Sequence, residues 1–247
     1  IEHSSGSRPE GMITGWQHQH QYFSGNAVQS DFDFEKFSTS LITESAAVTP
    51  CKNAQNLELY SYPGLYTTSS SGSKLTTLRM EQEELKFDCA LGQSTYRKME
   101  VGKVFTLKSD EIEADSGSHF LVTEMLHFAA EGSYLDDGSH TPYGNEFSCI
   151  PDSVNYRPAL TTPKPRIDGV QTAIVVGAAG DEICTDKYGR IKVQFPWDRY
   201  GQKNDTSSCW VRVASQQAGN KWGVVGIPRV GNEVVVTFIE GNPDRPL

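Results

Sequence analysis

The 247-residue chain has few cysteines, no long apolar run and no excess of positive charge. Its five cysteines are odd in number, widely separated and without a CxxC pair, so we expect neither a disulfide framework nor a zinc ribbon. Apolar runs such as 173–180 and 234–239 are far shorter than the roughly 20 residues of a transmembrane helix. Residues 169–247 carry nine basic and eight acidic residues, and residues 1–168 are strongly acidic. Neither segment has the charge of a nucleic-acid-binding protein.

Motifs that bind nucleotides or carry out nucleophilic catalysis are also absent from the sequence. Neither GxxxxGK[ST] nor GxGxxG, the glycine-rich turns that cradle phosphates, occurs in the chain. The GxSxG turn that presents a catalytic serine is missing too. We therefore predict no catalytic residue, no cofactor-binding residue and no metal ligand, and we expect the chain not to be an enzyme.

Two short segments are candidate cation sites. His18-Gln-His20 would place both imidazoles on one face of a strand, but no third ligand stands nearby at a recognisable spacing. A solvated histidine-rich strand or loop is therefore the favoured interpretation. Asp31-Phe-Asp-Phe-Glu35 would place three carboxylates on one strand face, suited to a cation or an acid pair. Its interleaved Phe32 and Phe34 favour an ordinary half-buried strand.

The first 150 residues combine strands with one predicted helix. Lys74–Glu84 has a helical pattern, and the low-complexity run Ser69–Ser73 before it predicts a mobile loop. The period then changes from helical to alternating, which predicts a strand with one buried face. The apolar positions of that strand are Leu85, Phe87, Cys89 and Leu91.

A proline-rich connection over 151–168 separates this part from a regular series of short apolar runs. Five strand candidates follow, at Gln171–Gly177, Gly189–Phe195, Trp210–Ala214, Trp222–Ile227 and Glu233–Ile239. Five short strands suit a small barrel of the OB type, although periodicity alone would allow another small barrel.

Alternating apolar positions in these strands define a predicted barrel core. Its members are Val193, Phe195, Val211, Val213, Val235 and Ile239. Three of the four tryptophans, Trp197, Trp210 and Trp222, also fall in the last 51 residues. We predict that they pack in the core or at a subunit interface, and stacking on bases or sugars is the less favoured alternative.

Several linked blocks after residue 174 resemble the OB-fold segment of VgrG proteins, the spike of the type VI secretion system. These blocks are Val175–Arg199, Ser207–Val213, Trp222-Gly223, Ile227–Val234 and Gly241–Pro246. Earlier segments are similar to the base domain of the same family, which resembles the hub of contractile phage tails. They are Asp33–Lys36, Tyr62–Tyr66, Arg79–Glu81 and Phe120–Thr123. Family members normally begin well before this chain and continue beyond it into a β-helical needle, so we expect a fragment.

The resemblance implies a mainly β fold with a minor helical part, of the α+β class. Residues 1–165 would form a partial, phage-tail-hub-like base domain with the proline-rich connector at its end. Residues 166–247 would form a five-stranded OB-fold barrel, the collar of the spike. The alternatives are an OB-fold oligosaccharide-binding module and a phage tail hub protein.

The implied function is mechanical. Three copies would cap the tail tube and be driven into a target cell, with the tube protein Hcp at the base. A PAAR-type tip protein and effectors would be carried through the needle region. The family has no catalytic residue in these two modules, and no nucleic acid is an expected partner. The protein would be made in the bacterial cytoplasm and secreted to the outside or into a target cell.

Overall fold

A computed structural model describes residues 11–130 and 143–247 of the chain. The chain divides into two compact units, residues 1–159 and 160–247. In the first unit the elements are β1 (Ile13–His20), β2 (Asn26–Gln29), β3 (Thr43–Ala46), β4 (Glu58–Ser61), α1 (Ser69–Glu84), β5 (Asp88–Ser94), β6 (Val104–Thr106), β7 (His119–Ala129) and β8 (Tyr143–Pro151).

The main sheet of the first unit is antiparallel and has the strand order β1-β5-β8-β7-β6. One of its faces covers a hydrophobic core built from Ile13, Ala90, Met99, Leu107, Phe120, Val122, Phe147 and Cys149. A β-bulge between Ile13 and Gly15 shifts the register of β1 against β5. Because of the bulge, Ile13 and Trp16, three residues apart, both face this core.

The small residues of β5 face this core. A Cβ atom at Gly92 would lie only 2.2 Å from the Phe147 ring, and Ala90 is fully buried, whereas Leu91 is 40% exposed. The predicted buried face, which included Leu91, is therefore wrong by one residue. The aromatic rings of Trp16 and Phe147 fill the space above β5 and leave room only for small side chains there.

A second sheet has the order β3-β2-β4, with β3 antiparallel and β4 parallel to β2. Helix α1 packs against β2 and β3. The run Ser69–Ser73 forms the first turns of this helix, so the predicted mobile loop is wrong. Thr68 caps the helix by accepting a hydrogen bond from the Ser71 amide. Gly72 is buried and lets the Tyr66 ring approach the helix backbone closely.

The acidic segment at residues 31–35 does not form the predicted half-buried strand. Asp33 accepts a hydrogen bond from the Glu35 amide and caps a 3₁₀ helix over Phe34–Lys36. Asp31 is buried and accepts bonds from the amides of Phe32 and Leu65. Both aspartates accept hydrogen bonds from backbone amides. Such bonds compete with strand pairing, and the alternating sequence pattern does not reveal them.

The second unit contains β9 (Gln171–Val176), β10 (Lys192–Gln194), β11 (Ala218–Gly219), β12 (Trp222–Gly223) and β13 (Glu233–Val236). The order β10-β9-β13 makes one antiparallel sheet, and β11 and β12 form a short hairpin. The core of the second unit consists of Ala173, Val175, Ile191, Val193, Val211, Val236 and Phe238.

Two of the five predicted barrel strands keep at most two paired residues in the structure. Trp210–Ala214 contributes only an isolated bridge between Val211 and Ile191, and the predicted strand at Trp222–Ile227 keeps two residues. The turns rich in Gly, Asp, Asn and Ser around them interrupt regular pairing. The predicted fold class, mainly β with a minor helical part, is confirmed.

Candidate functional site

A polar cluster lies where the core face of the main sheet reaches its edge. On β1, Trp16, His18 and His20 follow one another at period two, so all three point to the same face. Asp88 stands directly opposite His20 in the register of β1 and β5 and shares that face. Asp115 reaches the same place from the loop between β6 and β7. We call His18, His20, Asp88 and Asp115 the histidine–aspartate cluster.

His18 is bound through both nitrogens of its ring. Nδ1 lies 2.9 Å from each carboxylate oxygen of Asp115, and Nε2 lies 2.5 Å from Oδ1 of Asp88. Partial burial alone would lower the pKa of His18, but the hydrogen bonds and negative charges of the two aspartates outweigh it. The pKa of His18 is therefore raised above its ordinary value.

Asp115 is the buried member of the cluster, with a side chain only 9% exposed. It accepts a second hydrogen bond from the indole Nε1 of Trp16 at 2.7 Å. Its own amide donates to the carbonyl of Ile112 in a tight turn, which sets the direction of the carboxylate. The aspartate thus orients His18 from behind while His20, 60% exposed, stands at the solvent side.

The cluster gathers groups that can hold a metal ion. One donor atom from each of His18, His20 and Asp88 lies within 4.8 Å of the other two. The sequence showed the two histidines on one face but not the third ligand, since Asp88 is 70 residues away from His18. Strand pairing brings them together.

The predicted barrel-core residues take several positions in the second unit. Val193 and Val211 are buried in its core, and Phe195 and Val213 pack against that core while partly exposed. Val235 is 65% exposed, so its assignment to the core is wrong. The inward positions of β13 are Val234 and Val236, because Val235 faces away from the core at an alternate position.

Ile239 is half-buried and begins a 3₁₀ helix over Ile239–Gly241 rather than continuing the strand. It is not one of the core cluster, since Phe238 occupies the last inward position of this segment. The assignment of Ile239 to the core is wrong because the predicted alternation is one residue out of phase, as it is at Val235.

The three tryptophans of this unit lie outside its core. Trp197 is 66% exposed, stacks on Phe195 and donates from Nε1 to Oε1 of Gln171 at 2.9 Å. Trp222 is 65% exposed and covers Gly219 in the β11–β12 hairpin. The half-buried Trp210 lies under the ammonium group of Lys192, 4.8 Å from the ring centre. Their role at an interface stays a prediction.

A shallow groove runs along the outer face of the main sheet in the first unit. Leu91 and Leu126 are exposed there, between polar side chains such as Gln17, Glu124 and Glu146. Within residues 11–130 and 143–247, no helix combines the length and the apolar character needed to cross a bilayer.

Comparisons with known proteins match both units. The phage tail baseplate hub (GPD) family matches residues 1–133, and the type VI secretion system/phage-baseplate injector OB domain matches residues 171–247. The type VI secretion system spike protein VgrG1b of Pseudomonas aeruginosa is 37% identical over 94% of this chain and 31% of its own length. VgrG1c of the same organism is 36% identical over 99% of this chain and 34% of its own length.

Among solved structures, a type VI secretion component of E. coli, described as similar to the T4 bacteriophage tail proteins gp27 and gp5, has a TM-score of 0.50. It is 22% identical and covers 89% of this chain and 54% of its own, so this likeness concerns the fold. The chain spans about a third of the length of the spike proteins it matches. The resemblance to VgrG proteins is confirmed, and the chain belongs to the phage tail baseplate hub (GPD) family.

Proposed function

We propose that the chain is a structural component of a type VI secretion spike and forms its trimeric base and collar. The observation that carries this proposal is that one chain holds a baseplate-hub match followed by an injector OB-domain match. Relatives named as spike proteins align with nearly the whole of this chain. These names favour the spike over an oligosaccharide-binding module.

In this role the base would sit on the tail tube formed by Hcp, and a PAAR-type tip and effectors would be carried further along the spike. The protein would be made in the bacterial cytoplasm and leave the cell through the system. The two units would act by their shape and stiffness and would have no enzymatic activity.

The surface of the second unit supports assembly into a trimer. Val235 and Ile174 are exposed on the outer face of the β10-β9-β13 sheet. Trp222 is exposed on the hairpin, and Val225 is exposed just after it. A single chain leaves these apolar groups in water, whereas contacts between copies would bury them. Homo-oligomers usually close by rotational symmetry, and the resemblance to the spike family implies three copies.

Light scattering coupled to size exclusion tests the assembly directly. The chain has a mass of 27.3 kDa, so a trimer would have about three times that mass. Each chain carries a net charge of −9, and salt screens repulsion over roughly 10 Å at 0.1 M. We therefore expect the trimer fraction to rise with ionic strength and with protein concentration.

Val235→Asp would place a charge on the proposed contact face, and Leu160→Asp is its control because Leu160 is 84% exposed outside that sheet. We expect the first variant to be monomeric under conditions where the parent and the control are trimeric. A stable dimer, or a trimer that Val235→Asp leaves unchanged, would contradict the proposed interface.

The function itself is tested in the bacterium that encodes this chain. Deleting the parent gene should abolish release of the tube protein into the medium, and the intact gene should restore it. Restoration should fail with Val235→Asp and succeed with Leu160→Asp. Normal release in the deletion strain would show that the chain is not part of the secretion spike.

A further inference from the structure

We propose that His18, His20 and Asp88 bind a divalent transition-metal ion, with zinc as the best fit, at the edge of the main sheet. This inference concerns the first unit alone and does not depend on the proposed function. It rests on the position of the three side chains, on the groups behind them and on the chemistry of their donor atoms.

The three ligands come from two paired strands. His20 faces Asp88 directly, and His18 stands two residues earlier on the same face of β1. The distance from Asp88 Oδ1 is 2.5 Å to His18 Nε2 and 4.0 Å to His20 Nδ1. Around a tetrahedral zinc ion with bonds of about 2.0–2.2 Å, neighbouring donors lie roughly 3.3–3.6 Å apart. Small side-chain rotations, outward for His18 and inward for His20, would reach this spacing.

Asp115 supplies the support expected behind a metal-bound histidine. Such histidines usually donate their second ring N–H to a carboxylate, which sets the tautomer and aims the first nitrogen at the ion. His18 Nδ1 lies 2.9 Å from both oxygens of Asp115, and Asp115 is itself held by the indole of Trp16. The ring of His18 is therefore oriented with Nε2 toward Asp88.

Zinc binding at Nε2 of His18 would replace the hydrogen bond to Asp88. Any proton on Nε2 would leave to solvent as the zinc–nitrogen bond forms.

The donor set selects among metal ions. Two imidazole nitrogens and one carboxylate oxygen suit zinc and its neighbours in the first transition row, whereas calcium and magnesium prefer oxygen ligands alone. His20 is 60% exposed, so water can reach the site as a fourth ligand. The ion would tie β1, an edge strand, to β5 at the end of both strands.

Metal titration of the full 247-residue chain, without an affinity tag, tests the site. The background would carry Cys209→Ser, since Cys209 is an exposed thiol, together with His3→Gln and His140→Gln, which lie outside the described residues. After chelator treatment, zinc would be titrated by calorimetry and cobalt(II) by visible absorption. We expect one ion per chain and the intense absorption of tetrahedral cobalt without thiolate bands.

Single substitutions then assign the ligands. His20→Gln removes a mostly exposed ligand and should weaken binding by about ten-fold or more while the far-UV circular dichroism stays the same. Asp115→Asn should weaken it by about 10- to 100-fold through the loss of the support behind His18. His119→Gln is the matched control, since His119 is an exposed strand histidine that bonds to Thr106 and is not a member of the cluster.

Each outcome either supports or overturns the proposed metal site. Saturable binding that His20→Gln weakens and His119→Gln leaves unchanged supports the site. The absence of saturable binding in the parent overturns the proposal. So does equal affinity in the parent and in His20→Gln, because the ion would then lie elsewhere. If Asp115→Asn fails to fold, His20→Gln still decides the matter.

Discussion

Two adjacent valines of β13 provide a direct test of how the second unit is packed. Val236 is 2% exposed and belongs to the core with Ala173, Val175 and Phe238, whereas Val235 is 65% exposed. Threonine has nearly the shape of valine and keeps the branched Cβ that strands favour. Val236→Thr and Val235→Thr therefore differ mainly in whether the new hydroxyl is buried.

The expected magnitudes follow from this difference in burial. Burying a hydroxyl without a partner costs about 1–3 kcal/mol in protein mutational data, and we expect Val236→Thr to lose that much unfolding free energy. An exposed substitution of this kind usually changes stability by less than about 0.5 kcal/mol, which is the expectation for Val235→Thr.

Urea unfolding followed by tryptophan fluorescence measures both values. Three of the four tryptophans lie in the second unit, so the signal reports mainly on it. With a urea dependence of about 1–3 kcal/mol per molar, Val236→Thr should lower the midpoint by roughly 1 M. The midpoint of Val235→Thr should stay close to that of the parent.

The result that would refute this reasoning is a loss at Val235→Thr equal to or larger than the loss at Val236→Thr. The strand would then face the core with its other side, since a shift by one residue exchanges the two faces. Equal and small losses would show that β13 does not close the core.

Three further predictions concern the described thiols and the helix. Cys209, which is exposed, should react with iodoacetamide in the folded protein, whereas burial raises the pKa of Cys149 to about 12 and should keep it unmodified until the chain unfolds, as mass spectrometry would show. Gly72→Ala should lower the melting temperature although alanine favours helices by about 1 kcal/mol, because its Cβ would lie 2.5 Å from the Tyr66 ring. Thr68→Ala should cost about 1 kcal/mol in chemical unfolding through loss of the helix cap, and an unchanged midpoint would contradict the cap.

Local pattern was enough to predict much of this molecule. The proline-rich connection and the changes of period predict a mixed, β-rich first part followed by a second set of short strands. The helix at Lys74–Glu84 and the strand at Gln171–Val176 lie where the pattern indicates. These features depend on residues that are close together in the chain, so the pattern of the sequence is enough to predict them.

The inward faces of two strands were decided only by tertiary structure. Val234, Val235 and Val236 are all apolar, so alternation in this run has no phase, and pairing with β9 selects the face. On β5 the alternation was clear but misleading. Ala90 and Gly92 face the core because large rings from neighbouring strands occupy the space that larger side chains would need.

Only part of the histidine–aspartate cluster could be predicted from the sequence. A period of two places His18 and His20 on one face, and this could be seen from the sequence alone. Asp88 and Asp115 are 70 and 97 residues away from His18, and no local pattern connects them. Their positions follow from the register between β1 and β5 and from the path of the loop before β7, both of which are set by packing over the whole first unit.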